Sequence, residues 1–375
     1  MPFHHFHRLT VALSLAATSL LHADALQVSP LTKSQQLPLS KSDRAAQEVN
    51  LGWIPSELAG EGLKWMGLEG EVPSWDDLRG QIIVLQSFRA PSPQIKKVRE
   101  AIEGLGTSDV LFLPVHTPDR SERFDEEKRS SVGLDSIPVL VDTHGELCDR
   151  FGFRRKTTNV IVDRRGVVAA VGVRTEALPD LLKEMIAVDK EKALESKPEK
   201  RSAPKASDYP PHNSQVGSAT NRQGEDAPEF SVAQWVSKRP DMKNKTVVID
   251  FWATWCGPCR AAIPHMNELQ QTFAEDLVCV GVSNESADAF KQGMSSRQLN
   301  KPNTFAYALA LDPSARMQRH FGVRGIPHCV VISPDGKVRW QGHPSGLDST
   351  KLGAIVKASR GAGATFEPFW TKNKR

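Results

Sequence analysis

Residues 246–252 (Thr-Val-Val-Ile-Asp-Phe-Trp) form an apolar run that follows Lys245 and is interrupted only by Asp250. A run without polar alternation predicts a strand buried on both faces. Directly after it, Cys259, Ala262, Ile263, Met266, Leu269 and Phe273 recur at three and four residues, the spacing of a helix with one apolar stripe. Residues 277–282 predict another buried strand, 313–321 a short helix closed by Gly322, and 328–332 a further strand. Pro334-Asp335-Gly336 turns the chain into a strand over 337–341. Asp348 and Ser349 cap a last helix that ends near Gly361. Strands alternating with helices and finishing in a hairpin and a helix predict a mixed α/β sheet with helices on both faces.

The same pattern occurs earlier in the chain. At an offset of 170, residues 142–168 align without gaps on 312–338, matching Asp142/Asp312, Phe151/Phe321, Gly152/Gly322, Val160/Val330 and Gly166/Gly336. At an offset of 164, Ile82-Ile83-Val84-Leu85 ahead of Phe88 parallels Thr246-Val247-Val248-Ile249 ahead of Trp252. This predicts two copies of one fold. Between them, residues 189–226 are rich in Lys, Glu, Ser, Pro and Asn and nearly devoid of large apolar side chains, which reads as a flexible linker. The expected division is a first domain over 50–188, a second over 227–362 and a C-terminal tail over 363–375.

Composition narrows the function classes. The 375 residues carry 48 Lys and Arg against 44 Asp and Glu, a net +4 with no dominant basic block, which argues against nucleic acid as a partner. With 39% hydrophobic and 25% charged residues the chain is not a polytopic membrane protein. Residues 9–21 are uncharged and apolar, follow Arg8 and precede Ala23-Asp24-Ala25, which reads as a secretory signal over residues 1–25. The mature protein is then expected to be extracytoplasmic, secreted or periplasmic, with membrane contact transient or made through an uncleaved signal.

The chemistry concentrates at Cys256-Gly257-Pro258-Cys259, between the buried strand and the start of the helix. A thiolate at a helix N-terminus meets unpaired backbone N–H groups and the positive end of the helix dipole, so Cys256 is the better nucleophile. Cys259, one turn on, is placed to attack a mixed disulfide formed at Cys256. A zinc half-site and a static short-loop disulfide are the alternatives. Zinc would need a second ligand pair, and Cys148, Cys279 and Cys329 stand apart in the sequence.

With Trp252, Ala253 and Trp255 around it, this segment resembles the active site of thioredoxin-fold oxidoreductases, most closely the exported TlpA/ResA-type branch. The resemblance covers residues 227–362. It implies that Asp250 is the buried carboxylate that assists deprotonation of Cys259. It implies too that Gly325-Ile326-Pro327 is a cis-proline loop, whose Ile326 and Pro327, with Trp255, Gly257 and Pro258, meet an extended substrate. His328, next in sequence, is either structural or close to the dithiol. The resemblance implies two tandem thioredoxin-like domains, no cofactor, protein disulfides as substrates and a membrane thiol relay as electron donor.

In the first copy the chemistry is missing. The offsets place Ser92 and Ile95 at the cysteine positions, Gln86 at Asp250 and Thr157 at Pro327. A hydroxyl without a nearby base has no route to dithiol exchange, so this copy is expected to be redox-inactive. His116 reads as a solvated loop residue, with membership of a site as the alternative. The Gly-Pro dipeptide between the cysteines leans the reading toward a reductant of protein disulfides. An oxidase or isomerase, and a peptide-binding scaffold with a static disulfide, stand as alternatives.

Overall fold

A computed structural model of the chain describes residues 30–360 apart from 54, 56, 154, 155, 189 and 197–204. The expected signal segment and C-terminal tail lie outside the described residues. No described helix is long and apolar enough to cross a membrane.

The described chain forms two compact units, each built on a six-stranded mixed sheet. The strands of the first are β1 (Leu63–Met66), β2 (Ile82–Phe88), β3 (Val110–His116), β4 (Val139–Asp142), β5 (Asn159–Val162) and β6 (Val168–Val173). Their order is β1-β4-β3-β2-β5-β6. Strands β2, β3 and β4 run parallel, and β1, β5 and β6 pair antiparallel to their neighbours. The helix Pro93–Glu103 crosses from β2 to β3, and with Leu178–Ile186 it buries Val98, Ile102, Leu181 and Leu182 in one cluster with Ile82 and Val84.

The second unit repeats this arrangement strand for strand. Its strands are β7 (Gln234–Trp235), β8 (Thr246–Trp252), β9 (Leu277–Ser283), β10 (Ala308–Leu311), β11 (His328–Ile332) and β12 (Val338–Gly342), in the order β7-β10-β9-β8-β11-β12. The parallel and antiparallel pairings also coincide. The helices Gly257–Thr272 and Ser349–Ser359 cover one face, where Met266, Leu269, Leu352 and Ile355 pack with Val248, Trp252 and Cys329. The opposite face carries Phe251, Phe321, Met317 and Val330.

The domain limits differ from those expected. Pro38–Asn50 and Gly145–Lys156 belong to the second unit. The helix Lys41–Glu48, capped by the Ser40 hydroxyl, buries Ala45 and Val49 in that unit's core. Arg360 fixes it, with Nη1 donating to the Val49 carbonyl and to Asn50 Oδ1, both at 3.0 Å. The flexible linker expected over 189–226 is likewise corrected wherever the structure describes it. Lys190–Glu195 is helical, and residues 205–226 belong to the second unit. Tyr209 is buried with the Arg339 guanidinium 3.6 Å from its ring centroid. Asn213 Nδ2 donates to the Gln341 carbonyl at 2.7 Å, the Arg222 amide to Gln341 Oε1 at 2.6 Å and the Gly224 amide to the Val338 carbonyl at 2.8 Å. Such polar bonds order a segment without the apolar burial that composition measures.

Candidate active site

Seven residues of β8 are buried because β9 and β11 flank the strand and helices cover it, so its C-terminal end emerges at a fixed place. The turn that follows delivers Cys256 to the N-cap of the helix Gly257–Thr272, with Pro258 in the first turn, where a missing N–H costs nothing. Cys256 and Cys259 form a disulfide. Cys256 Sγ also accepts from the Cys259 amide at 3.2 Å, so the sulfur faces the orphan N–H groups of the helix start.

The predicted site residues divide into a surface group and a buried group. Trp255 is 59% exposed, and Gly257 and Pro258 are exposed beside it. The Ile326–Pro327 bond is cis, and the Ile326 carbonyl oxygen lies 3.9 Å from Cys256 Sγ. These residues form a rim around the disulfide. Asp250 sits below on β8, at 2% exposure, on the sheet face that carries Trp252 and Cys329 and shares a core cluster with Cys259 of the helix. Burial pushes its carboxyl up to about 7, against the opposing pull of a hydrogen bond from Cys329. A carboxyl held there can take or give a proton near neutral pH.

His328 does not join the site. It is the register partner of Phe251 and stacks on it at 6.5 Å between centroids, on the opposite sheet face from Asp250 and Cys329. Burial, aided by the charge of His343, lowers its pKa to about 4. Cys148, Cys279 and Cys329 are free and buried.

Several contributions were missed from sequence. Cys329 lies across from Asp250, a proximity that only strand register reveals. Glu285, just past β9, accepts from the Thr254 amide and hydroxyl two residues before Cys256, and Ser283 Oγ donates to the same carboxylate. Gly293, in the helix Ala287–Ser296, lies against Thr254, where an added Cβ would fall 1.9 Å from Oγ1. That helix occupies the long segment between β9 and β10. Arg260 Nη1 donates to the Thr254 carbonyl at 2.9 Å and closes the loop from its other side.

In the first unit the equivalent positions hold other chemistry. Ser92 caps the helix Pro93–Glu103 by accepting from the Gln94 amide, and Ile95 and Gln86 are buried. His116, expected in solvent, is instead buried at the end of β3, with Nδ1 2.7 Å from the Thr117 carbonyl and its ring against Phe88 and Phe124. Aromatic packing there outweighs solvation, and burial lowers its pKa.

Residues 223–341 match the AhpC/TSA family. The thioredoxin-like protein YneN of Bacillus subtilis (strain 168) is 40% identical over 121 residues, which cover 32% of this chain and 69% of YneN. The chain belongs to the ResA/YneN family of thioredoxin-like proteins. The thiol-disulfide oxidoreductase ResA of Bacillus subtilis (strain 168) is 32% identical over 129 residues, 33% of this chain and 68% of ResA. For ResA of Bacillus thuringiensis subsp. konkukian (strain 97-27) the match is 32% over 118 residues, and the chain spans 66% of that protein's length. A solved thioredoxin-family thiol:disulfide interchange protein from Chlorobium tepidum TLS is 28% identical, covering 37% of this chain and 99% of its own, with a TM-score of 0.28. The family match lies in the second unit, around the dithiol.

Proposed function

We propose that this protein is an exported thiol-disulfide oxidoreductase that reduces disulfides of extracytoplasmic proteins. The observation that carries the reading is the Cys256–Cys259 disulfide at a helix N-cap beside the exposed Trp255 and the Ile326 carbonyl. In the reduced enzyme the Cys256 thiolate attacks one sulfur of the substrate disulfide, and the other sulfur leaves and takes up a proton. Cys259 passes its proton to Asp250 and attacks Cys256 Sγ. The second substrate sulfur is expelled as a thiolate and takes up the proton that Asp250 accepted, the substrate is left as a dithiol, and the enzyme holds the Cys256–Cys259 disulfide. Two electrons have moved from enzyme to substrate, and a membrane thiol relay returns them.

Trp255 and the Ile326–Pro327 loop, with Gly257 and Pro258, form the surface against which an extended peptide lies. The first unit is a degenerate copy without redox chemistry, as Ser92, Ile95 and Gln86 at the active positions support. The relatives' names and the helix N-cap geometry favour enzymatic exchange over a static scaffold.

The test is equilibration of the protein in graded dithiothreitol and glutathione buffers, with thiol trapping and mass analysis of the Cys256/Cys259 peptide. A midpoint near about −270 mV supports a reductant, and one near about −120 mV replaces that direction with oxidation. Turnover that survives in Cys256→Ser overturns the mechanism.

A further inference from the structure

Strand β11 sets the Cys329 thiol directly across from Asp250. The two are register partners, and Sγ lies 3.5 Å from Oδ1. Among the described residues this thiol is the one hydrogen-bond donor to the carboxyl. The other groups facing it supply no cation. Gly281 is its partner on β9, Met266 Sδ lies 4.0 Å from the Cys329 sulfur, and Cys259 shares the same buried cluster. Cys279 on β9 and Tyr307 ahead of β10 also respond to the Asp250 charge. Burial pushes both of their pKa values up, so each is neutral at pH 7.

A second disulfide does not account for a cysteine here. Cys329 and Cys279 lie on strands separated by β8, two spacings or about 9–10 Å apart. A bridge spans at most about 7 Å between Cα atoms. In the first unit the corresponding cross-strand pair is Gln86 with Asn159, both buried. Both sheets therefore keep a polar pair at this crossing, and only the second makes it ionisable.

We propose that Cys329 is a positioning residue, whose thiol donates to Asp250 and sets the pH at which that carboxyl exchanges its proton. A donor to the charged form favours the carboxylate over the acid, and it holds Oδ1 on the β11 side. The role in turnover rests on the thiol-disulfide reading above; the coupling itself does not.

The experiment follows the Asp250 carboxyl by infrared difference spectroscopy in the oxidised protein, with the disulfide intact and no turnover required. Cys329→Val, which keeps the bulk and removes the donor, is expected to raise the Asp250 midpoint by about one pH unit, the size one hydrogen bond to a carboxylate carries. Cys329→Ser, which keeps a donor, is expected to hold the wild-type midpoint. In the wild type, one free-thiol S–H band should shift in step with Asp250, a measurement that needs no variant to fold. In disulfide-reduction assays the low-pH limb of the Val variant should move by the same amount. An unmoved midpoint in the Val variant, equal shifts in Val and Ser, or an S–H band indifferent to Asp250 would overturn the proposal. A wild type without turnover, whose Asp250 midpoint still follows Val and Ser, would overturn the oxidoreductase reading and uphold the coupling.

Discussion

The Thr254 hydroxyl donates to Glu285 Oε1 at 2.6 Å, and the Thr254 amide donates to the second carboxylate oxygen at 2.8 Å. One side chain from the end of β9 thus holds, by two charge-assisted bonds, the backbone that leads into Cys256. Glu285→Ala leaves the buried Thr254 amide and hydroxyl without that acceptor. Bonds to charged groups contribute about 1.5–3 kcal/mol each, so urea unfolding is expected to show a loss of about 2 kcal/mol or more. A midpoint unchanged from wild type would show that the loop is held by other contacts.

Gly293→Ala is expected to reverse a general rule. Within a helix, alanine exceeds glycine by about 0.5–1 kcal/mol. Here the new Cβ would fall 1.9 Å from Thr254 Oγ1 and 2.6 Å from Thr254 Cβ, so Thr254 or the helix must shift. The expected result is a destabilised protein with slower Cys256 alkylation in its reduced form. Higher stability would mean that the helix moves away at little cost.

Asp250 gives the protein a pH signature. Its folded value, about 7, lies above the ordinary carboxyl value, about 3.9, so the native state retains a proton that the unfolded chain releases. The associated stability is complete below about pH 4 and is lost as pH rises through about 7. Three pKa units correspond to at most about 4 kcal/mol. Asp250→Asn should therefore be more stable than wild type at pH 8, with the advantage shrinking toward pH 5. Unfolding curves measured at both values on the oxidised proteins test this, and a constant difference would refute it.

Trp255 is 59% exposed, so Trp255→Ala is expected to leave the thermal midpoint within about 2 °C. If the ring receives peptide substrates, KM for a protein disulfide should rise several-fold while reduction of a small aromatic disulfide changes little. Equal effects on both substrates would remove the ring from peptide recognition.

Much of the second unit was legible because its signals are local. Strand β8, the stripe on Gly257–Thr272, the Asp348 cap and the cysteine pair each lie within a few residues. The cis bond before Pro327 was legible through resemblance, since spacing shows a turn there and no more. Edge strands β1 and β7, at four and two residues, carry too little pattern to stand out. The helix Lys41–Glu48 has Ala45 and Ala46 as its apolar residues, so its burial in the second unit left no stripe to read. Residues 205–226 are ordered by bonds from Asn213 and Arg222 to Gln341, more than a hundred positions away. Contacts set by register over such separations, Asp250 with Cys329 among them, become visible only once the sheet is assembled.

The capture of Pro38–Asn50 by the second unit makes the chain path interleaved. Strands β1 to β4 of the first unit lie in sequence between Pro38–Asn50 and Gly145–Lys156, both of which belong to the second. A chain cut between the two halves would therefore not free the dithiol half as an independent particle. Ala45 and Val49 would stay seated in its core, and Arg360 would stay clasped to Val49 and Asn50. The two pieces would migrate together until denaturant parts them, and an excised 227–362 would carry a socket where that helix belongs.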